Sequence, residues 1–215
     1  MKKSTLLIFA SGAKDGGGSG FQKLAEASRE GVLNADIVGV VSNHERGGVW
    51  KRAKTLGIPC YFFPAPWSAE RYRMFATESG AEVFALSGWL KRVEGLPPER
   101  TINIHPGPLP LFGGQGMYGH HVHGAVIAAF GKGEITHTEI CMHFVNGEYD
   151  RGPIFFRLRI PLRADDTPDS LAARVNALEH AWQPRITNLV VSGEIILNSG
   201  HLVLPSGYSV EHHAD

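Results

Sequence analysis

The sequence predicts an α/β fold: a doubly wound, mostly parallel sheet flanked by helices, with a hairpin near the C-terminus. Three observations carry that prediction. Thr5–Ala10 is an unbroken apolar run that feeds a glycine-rich loop, the pattern of a central parallel strand buried on both faces. Strand-like and helix-like segments then alternate through the first half of the chain, as βαβ units require. The last apolar stretch is divided by Asn198-Ser-Gly200, residues suited to a tight hairpin turn. Together these describe a Rossmann-like sheet with a C-terminal hairpin.

Each element follows from its own local pattern. After the first strand and its glycine loop, a helix is expected over Gln22–Ser28, then a strand over Ala35–Ser42. Trp50–Leu56 reads as a helix stopped by Gly57, because glycine takes up the left-handed conformation that ends helices. Ile58–Phe63 is a third strand, Ala69–Ser79 a helix, Glu82–Leu86 a fourth strand and Thr101–His105 a fifth. In the second half, His121–Phe130 reads as a helix. Thr138–Phe144 and Ile154–Ile160 alternate like strands about a glycine-containing turn, and a long helix is expected over Thr167–Leu189. Gly193–Pro205 completes the chain's hairpin.

Composition narrows the function. At 215 residues, the chain is long enough for one large α/β domain with a sizeable core. A single domain over residues 1–215 is expected, with a phosphate-binding or nucleotide-binding half (1–100) and a catalytic half (101–215). Lys+Arg and Asp+Glu balance at 21 each, so no global field recruits nucleic acid or an acidic membrane surface. Hydrophobic residues make up 43%, an ordinary globular share rather than a disordered one. The two cysteines, Cys60 and Cys141, have no metal-type spacing and suit a reducing cytoplasm. The N-terminal Met-Lys-Lys-Ser start has too brief an apolar run for a signal peptide and leads into no cleavage site, so it is read as the first strand. No segment approaches the length of a membrane span.

The chemistry concentrates in Thr101-Ile-Asn-Ile-His-Pro-Gly-Pro-Leu-Pro110. Alternation puts Asn103 and His105 on the same side of a strand, and prolines end it by removing amide donors and fixing φ. An amide and a titratable imidazole are thus set side by side at a strand's carboxyl end, where open α/β sheets bind ligands. Such a pair can stabilise a developing oxyanion and move a proton near neutral pH. In Phe144-Val-Asn-Gly-Glu-Tyr-Asp-Arg-Gly-Pro153, Asp150 is either a turn-former or a carboxylate that pairs with His105 and raises its pKa. The loop Ser11–Gly20 precedes a helix, so its amides can hold a phosphate, with Ser19 as cap and ligand. It matches neither the dinucleotide fingerprint nor a Walker sequence, and a flexible turn accounts for its glycines at least as well. His120, His121 and His123 lack the spaced carboxylate or cysteine partners of a metal site, and no metal is expected.

Asn103-Ile-His105-Pro, Asp150-Arg-Gly-Pro, Asp166-Thr, Arg174-Val and Glu179-His180 together resemble the glycinamide ribonucleotide transformylase family, folate-dependent formyltransferases of purine synthesis. The resemblance extends to Val41-Ser-Asn43, Gly57-Ile58, Met117-Tyr-Gly119 and His121-Val-His123. It implies transfer of a formyl group from 10-formyltetrahydrofolate to the amine of glycinamide ribonucleotide, without metal. It further implies that Asn103, His105 and Asp150 are catalytic. Gly18, Ser19 and Gly20 would hold the acceptor's phosphate, while Asn176 and Glu179 would hold its ribose and glycinamide. Leu90, Lys91, Arg92 and Val93 would line the folate pocket with Asn103, and the loop Asn146, Gly147, Glu148, Tyr149, Asp150 would close over the pterin. Small-molecule partners only are implied, for a monomer or homodimer in the cytoplasm. The chain departs from the family pattern in the Lys14–Gly17 insertion, in Gly20 where the family commonly has Asn, in Lys91 where it commonly has Arg, in the lack of a clear counterpart near Ala69 of an Arg for the folate tail, and in Pro-Gly-Pro-Leu-Pro after His105 in place of Pro-Ser-Leu-Leu-Pro. The runner-up reading is a related formyltransferase acting on another amine, such as an amino-sugar nucleotide. A third is a binding protein that keeps the fold without catalysis, which an intact Asn103/His105/Asp150 set opposes.

Overall fold

A computed structural model describes residues 3–214. The first half runs β1 (Ser4–Phe9), α1 (Ser19–Glu30), β2 (Ala35–Ser42), α2 (Gly48–Leu56), β3 (Cys60–Phe62), α3 (Ala69–Ser79), β4 (Val83–Leu86) and β5 (Thr101–His105). The second half runs α4 (His120–Gly131), β6 (His137–Phe144), β7 (Ile154–Pro161), α5 (Pro168–Val191), β8 (Ile196–Asn198), β9 (His201–Val203) and β10 (Glu211–His213). Eight strands form one sheet in the order β10-β7-β6-β5-β4-β1-β2-β3, and β8 pairs with β9 in a separate antiparallel hairpin. The five strands from β3 to β5 are parallel, whereas β6 runs antiparallel to both β5 and β7.

The apolar run of β1 is explained by burial on both faces. Leu6 and Ile8 enter one core beneath α1 and α5, while Leu7 and Phe9 enter the other against Tyr72 and Phe75 of α3. Fully burying a side chain of this size stabilises by about 1.5–3 kcal/mol. β4 divides in the same way, with Val83 and Ala85 on one side and Phe84 and Leu86 on the other. From β1 the chain moves outward through β2 to β3 and then returns to lay β4 on β1's free side. The carboxyl ends of β1 and β4 therefore flank a topological switch point, a crevice by construction.

Several expected boundaries move. α1 begins at Ser19 and α2 at Gly48, each earlier than periodicity suggests, since glycine-rich first turns carry no apolar signal. β3 starts only at Cys60, because Gly57 caps α2 in the left-handed region and the Ile58 amide is still bonded to Ala53. The hairpin forms where expected, turning on Ser199 and Gly200, both at positive φ. β10 was not expected at all. It is a three-residue strand laid parallel to β7 at the sheet's edge.

Candidate active site

A cavity of about 690 Å³ opens at the carboxyl ends of β1, β4 and β5. Its wall brings together Gly18, Ser19, Gly20, Leu90, Asn103, His105, Tyr149, Asp150, Asn176 and Glu179, gathered from across the chain. A smaller recess of about 50 Å³ shares Asn103, Tyr149 and Asp150 with it and adds Lys91, Arg92, Val93, Gly147 and Glu148. The segment after β4 is fixed from the core, since Trp89 donates to the Tyr72 hydroxyl (2.8 Å), which donates to the Arg92 carbonyl (2.9 Å). Arg92 in turn donates to the Gly147 carbonyl at 3.2 Å, tying the two walls of the recess together. Asn146 lines neither space. Its side chain accepts from the Glu148 amide (3.2 Å) and donates to the Arg151 carbonyl (3.4 Å), the work of a turn-former.

β5 sends Ile102 and Ile104 into the core and Asn103 and His105 to the opposite face. The turn after β6 delivers Asp150 to them at φ +54°, a conformation that costs a non-glycine residue roughly 1–3 kcal/mol. Gly152 makes the turn possible, because a Cβ there would lie 1.6 Å from the Phe144 carbonyl oxygen. Asp150 Oδ2 lies 3.6 Å from His105 Nδ1 and accepts from the Gly114 amide at 2.9 Å. Asp150 Oδ1 accepts from Asn103 Nδ2 at 3.3 Å.

A fourth side chain completes this network. Antiparallel pairing sets His143 of β6 directly opposite Asn103. Its Nδ1 donates to the Phe144 carbonyl at 2.8 Å, and its Nε2 lies 3.5 Å from Asp150 Oδ1. With Nε2 unprotonated, Asn103 Nδ2, 3.1 Å away, donates to it. Both amide hydrogens of Asn103 are then committed, one to His143 and one to Asp150, and its carbonyl oxygen is the atom left over. In that tautomer the oxyanion-donor role expected of Asn103 has no free hydrogen. His105 is likewise fixed: its Nε2 lies 2.8 Å from the Phe112 carbonyl and carries the proton, leaving Nδ1 towards Asp150.

The charges settle accordingly. Burial lowers the pKa of His105, which is 4% exposed, and outweighs the upward pull of Asp150. The expected net rise is thus reversed, although the sign of Asp150's contribution is as anticipated. Burial pushes the Asp150 carboxyl up, but the neighbouring imidazoles and the Gly114 amide outweigh it and leave the group below its ordinary value. His123, in the cavity wall, is pushed down to about 4 by burial, with His120 and His105 adding to the effect. Burial pushes Glu179 up to about 7, against a hydrogen bond from Asn176.

The loop after His105 is held from behind. Arg157 donates to the Leu109 carbonyl through both terminal nitrogens (3.1 Å each) and to Glu139 at 2.6 Å. Glu139 is only 5% exposed, and the pair anchors the loop that supplies the Phe112 carbonyl and the Gly114 amide.

At the other end of the cavity the helix start is bare. Gly18, at φ +78°, takes the cap position of α1 that Ser19 was expected to fill, and no side chain caps the helix. The first helical bond is Gln22 N–H to the Gly18 carbonyl, so among the described residues the amides of Ser19, Gly20 and Phe21 have no partner. The Lys14–Gly17 insertion folds back on α2, with the Gly48 amide on the Ala13 carbonyl (3.0 Å) and Arg52 on the Gly17 carbonyl (3.1 Å). Among the described residues no group of three or more His, Cys, Asp or Glu side chains is placed to hold a metal ion, and no helix is long and apolar enough to cross a membrane.

Sequence reasoning missed His143, the Phe112 carbonyl, the Gly114 amide, Arg157 and Gln183, which also lines the cavity. For His143 a signal existed: it stands just before the loop bearing Asp150, at the end of a strand. The backbone contacts carry no sequence signal.

Comparison with known proteins places this geometry in a group. A family model described as formyl transferase matches residues 6–187. Phosphoribosylglycinamide formyltransferase, chloroplastic, of Arabidopsis thaliana is 35% identical over 90% of this chain and 68% of its own length. The phosphoribosylglycinamide formyltransferase of Escherichia coli (strain K12) is 26% identical over 91% of this chain and 96% of its own. Among solved structures, the phosphoribosylglycinamide formyltransferase of Anaplasma phagocytophilum superposes with a TM-score of 0.79 at 26% identity, covering 100% of both chains.

Proposed function

The chain belongs to the formyl transferase family, and on that premise we propose that it moves a formyl group from 10-formyltetrahydrofolate to the amine of phosphoribosylglycinamide. One observation carries the reading. A single cavity is lined both by the Asn103–His105–Asp150 network and by an uncapped helix start. An uncapped helix start with free amides favours a phosphate monoester, which carries close to two negative charges at neutral pH. The comparisons lend no support to an amino-sugar nucleotide as the acceptor.

In this mechanism the neutral amine attacks the formyl carbon and the carbonyl electrons move onto oxygen. The His105 Nε2–H, which faces the Phe112 carbonyl in this structure, is the donor available to that oxyanion. Asn103, its hydrogens held by His143 and Asp150, offers its carbonyl oxygen to an N–H of the attacking amine and so orients the lone pair. The lowered pKa of His105 keeps the ring neutral near pH 7, and a proton added at Nδ1 would face Asp150. As the tetrahedral intermediate collapses, the C–N bond to the folate N10 breaks. The proton lost by the acceptor nitrogen ends on N10, through water held at Asp150. Tetrahydrofolate and the N-formylated acceptor leave. Leu90 to Val93 and Gly147 to Tyr149 form the folate side of the site, and Gly18 to Gly20, Asn176 and Glu179 the acceptor side.

The test is a formyl-transfer assay with 10-formyltetrahydrofolate and a panel of amines, following tetrahydrofolate release and formylated product together. Formylation of phosphoribosylglycinamide is expected, with amino-sugar nucleotides unreacted. Tetrahydrofolate release without a formylated amine would make the protein a hydrolase of the donor and sink the proposal.

A further inference from the structure

Gln183 is a polar side chain that is only 3% exposed, and it forms part of the cavity wall. Its position at the meeting point of three elements determines which of its atoms are free. Ser87, just past β4, donates its hydroxyl to Gln183 Oε1 at 3.0 Å. That contact turns the other end of the carboxamide, Nε2 with two hydrogens, away from Ser87, and among the described residues Nε2 has no hydrogen-bond partner. Nε2 is not shut away from the cavity, so it is a donor that a ligand there can reach.

The first turn of α1 is cut to fit this side chain. A Cβ on Gly20 would lie 2.2 Å from Ser87 Oγ and 3.1 Å from Gln183 Oε1. The absence of a side chain at position 20 is therefore what lets the carboxamide and the serine hydroxyl lie directly against the helix start. The amides of Ser19, Gly20 and Phe21 are unpartnered at that same point, and the first turn of α1 contains no acidic residue. Along α5, Asn176, Glu179 and Gln183 share one helix face by their spacing, and all three line the cavity. Two independent sets of unused donors, one backbone and one side chain, thus converge.

We propose that Gln183 is an acceptor-binding residue, its Nε2 donating to the phosphate monoester held by the first turn of α1. The proposal rests on the formyl-transfer reading for the identity of the acceptor. The chemistry recognised is that of a terminal phosphate.

Calorimetry on the full chain, with phosphoribosylglycinamide, its dephosphorylated riboside and inorganic phosphate as probes, tests it in three proteins. Gln183→Leu removes both donors at similar volume. Gln183→Glu is isosteric, retains an acceptor for Ser87 and sets a carboxylate against the phosphate, so it serves equally if leucine disturbs packing. A hydrogen bond to a charged group contributes about 1.5–3 kcal/mol, which converts to roughly 10- to 100-fold in affinity. Gln183→Leu should weaken the phosphorylated acceptor and inorganic phosphate by that factor, with riboside binding unchanged. In turnover, KM for the acceptor should rise while kcat stays within about twofold, the pattern of lost uniform binding. Gln183→Glu should be weaker still towards both phosphates. Wild-type affinity for phosphate in either variant overturns the proposal, as does equal loss of phosphorylated and dephosphorylated ligands. If the wild-type protein itself binds both ligands alike, the phosphate reading of the helix start falls and this inference with it.

Discussion

The two ends of the cavity treat hydrogen bonds in opposite ways. At the strand end, Asn103, His105, His143 and Asp150 commit nearly every polar atom to one another or to the loop backbone at Phe112 and Gly114. At the helix end, three backbone amides and the Gln183 carboxamide nitrogen have no partner among the described residues. Donors committed to each other fix protonation and orientation before a substrate arrives, which suits a proton-handling centre. Donors left free weaken the unliganded fold slightly and reserve their hydrogen bonds for an anion. Substitutions at the strand end should therefore act on kcat, and those at the helix end on acceptor binding.

The largest expected effect is at His105. It lines the cavity, its Nε2–H sits on a backbone carbonyl and can pass from there to a developing oxyanion, and removal of such a donor costs about 2.7–4 kcal/mol. His105→Ala should lower kcat by roughly two to three orders of magnitude by the usual conversion, with KM for the acceptor little changed. A folded variant that keeps near-normal turnover would take the imidazole out of the chemistry and break the contrast at its stronger end.

Next comes His143, which the mechanism uses only through Asn103. His143→Phe keeps a ring in the buried strand but removes the acceptor that orients the Asn103 amide. The freed amide can rotate, and kcat should fall by about 10- to 100-fold, the equivalent of one to two well-placed hydrogen bonds. His143→Gln, which can still accept, should recover part of the loss. Equal damage from both variants would mean that the ring matters for packing alone.

This division also decides what could be read without a structure. The two-faced burial of β1, the alternation that pairs Asn103 with His105 and the proline stop after them are local, so their residues announce them. The place of His143 at a strand end is local too, but its pairing with Asn103 comes from the antiparallel register of β5 and β6, between residues 40 positions apart along the chain. The Phe112 and Gly114 contacts are made by backbone, which any residue supplies. α1 could not be dated to Ser19, because its first turn is glycine and serine and its function is to be bare. Gln183 sits in a long helix where a polar residue reads as solvent-facing, and only the close approach permitted at Gly20 buries it. β10 is three residues long, too short for any period to register.

A smaller, purely electrostatic effect sharpens the strand end. The folded-state pKa of His105 lies below its ordinary value because burial outweighs the attraction of Asp150. Asp150→Asn removes the charge that favours the protonated ring and leaves the burial in place, so the His105 pKa must fall further. By NMR, the ring should stay neutral to a lower pH than in the wild type, and any acidic limb of kcat/KM that reports this group should move the same way. An unchanged titration would mean that the 3.6 Å approach of Nδ1 to Asp150 does not couple the two groups.

The smallest effect expected is on α5, and it tests whether the helix end is held by packing or by its cap. Thr167 accepts from the Ser170 amide at 3.2 Å while Ser170 Oγ accepts from the Thr167 amide at 2.9 Å, and Arg174 grips Asp166 through two nitrogens at 2.7 and 2.6 Å. Thr167→Ala breaks the cap and should cost about 1 kcal/mol, lowering Tm by about 2–4 °C for a chain of this size. The helix should nevertheless start at the same place, because Pro168 at the first position already has helical φ. Asn176 and Gln183 lie more than two turns farther on, in a stretch where Leu171 and Val175 are completely buried. Their positions are set by that core and not by the first turn, so KM for the acceptor should stay within about twofold, each tenfold change in binding corresponding to 1.4 kcal/mol. A severalfold rise in KM alongside the small drop in Tm would show that the helix start and the phosphate end move together, and the unpartnered donors there would then depend on the cap for their alignment.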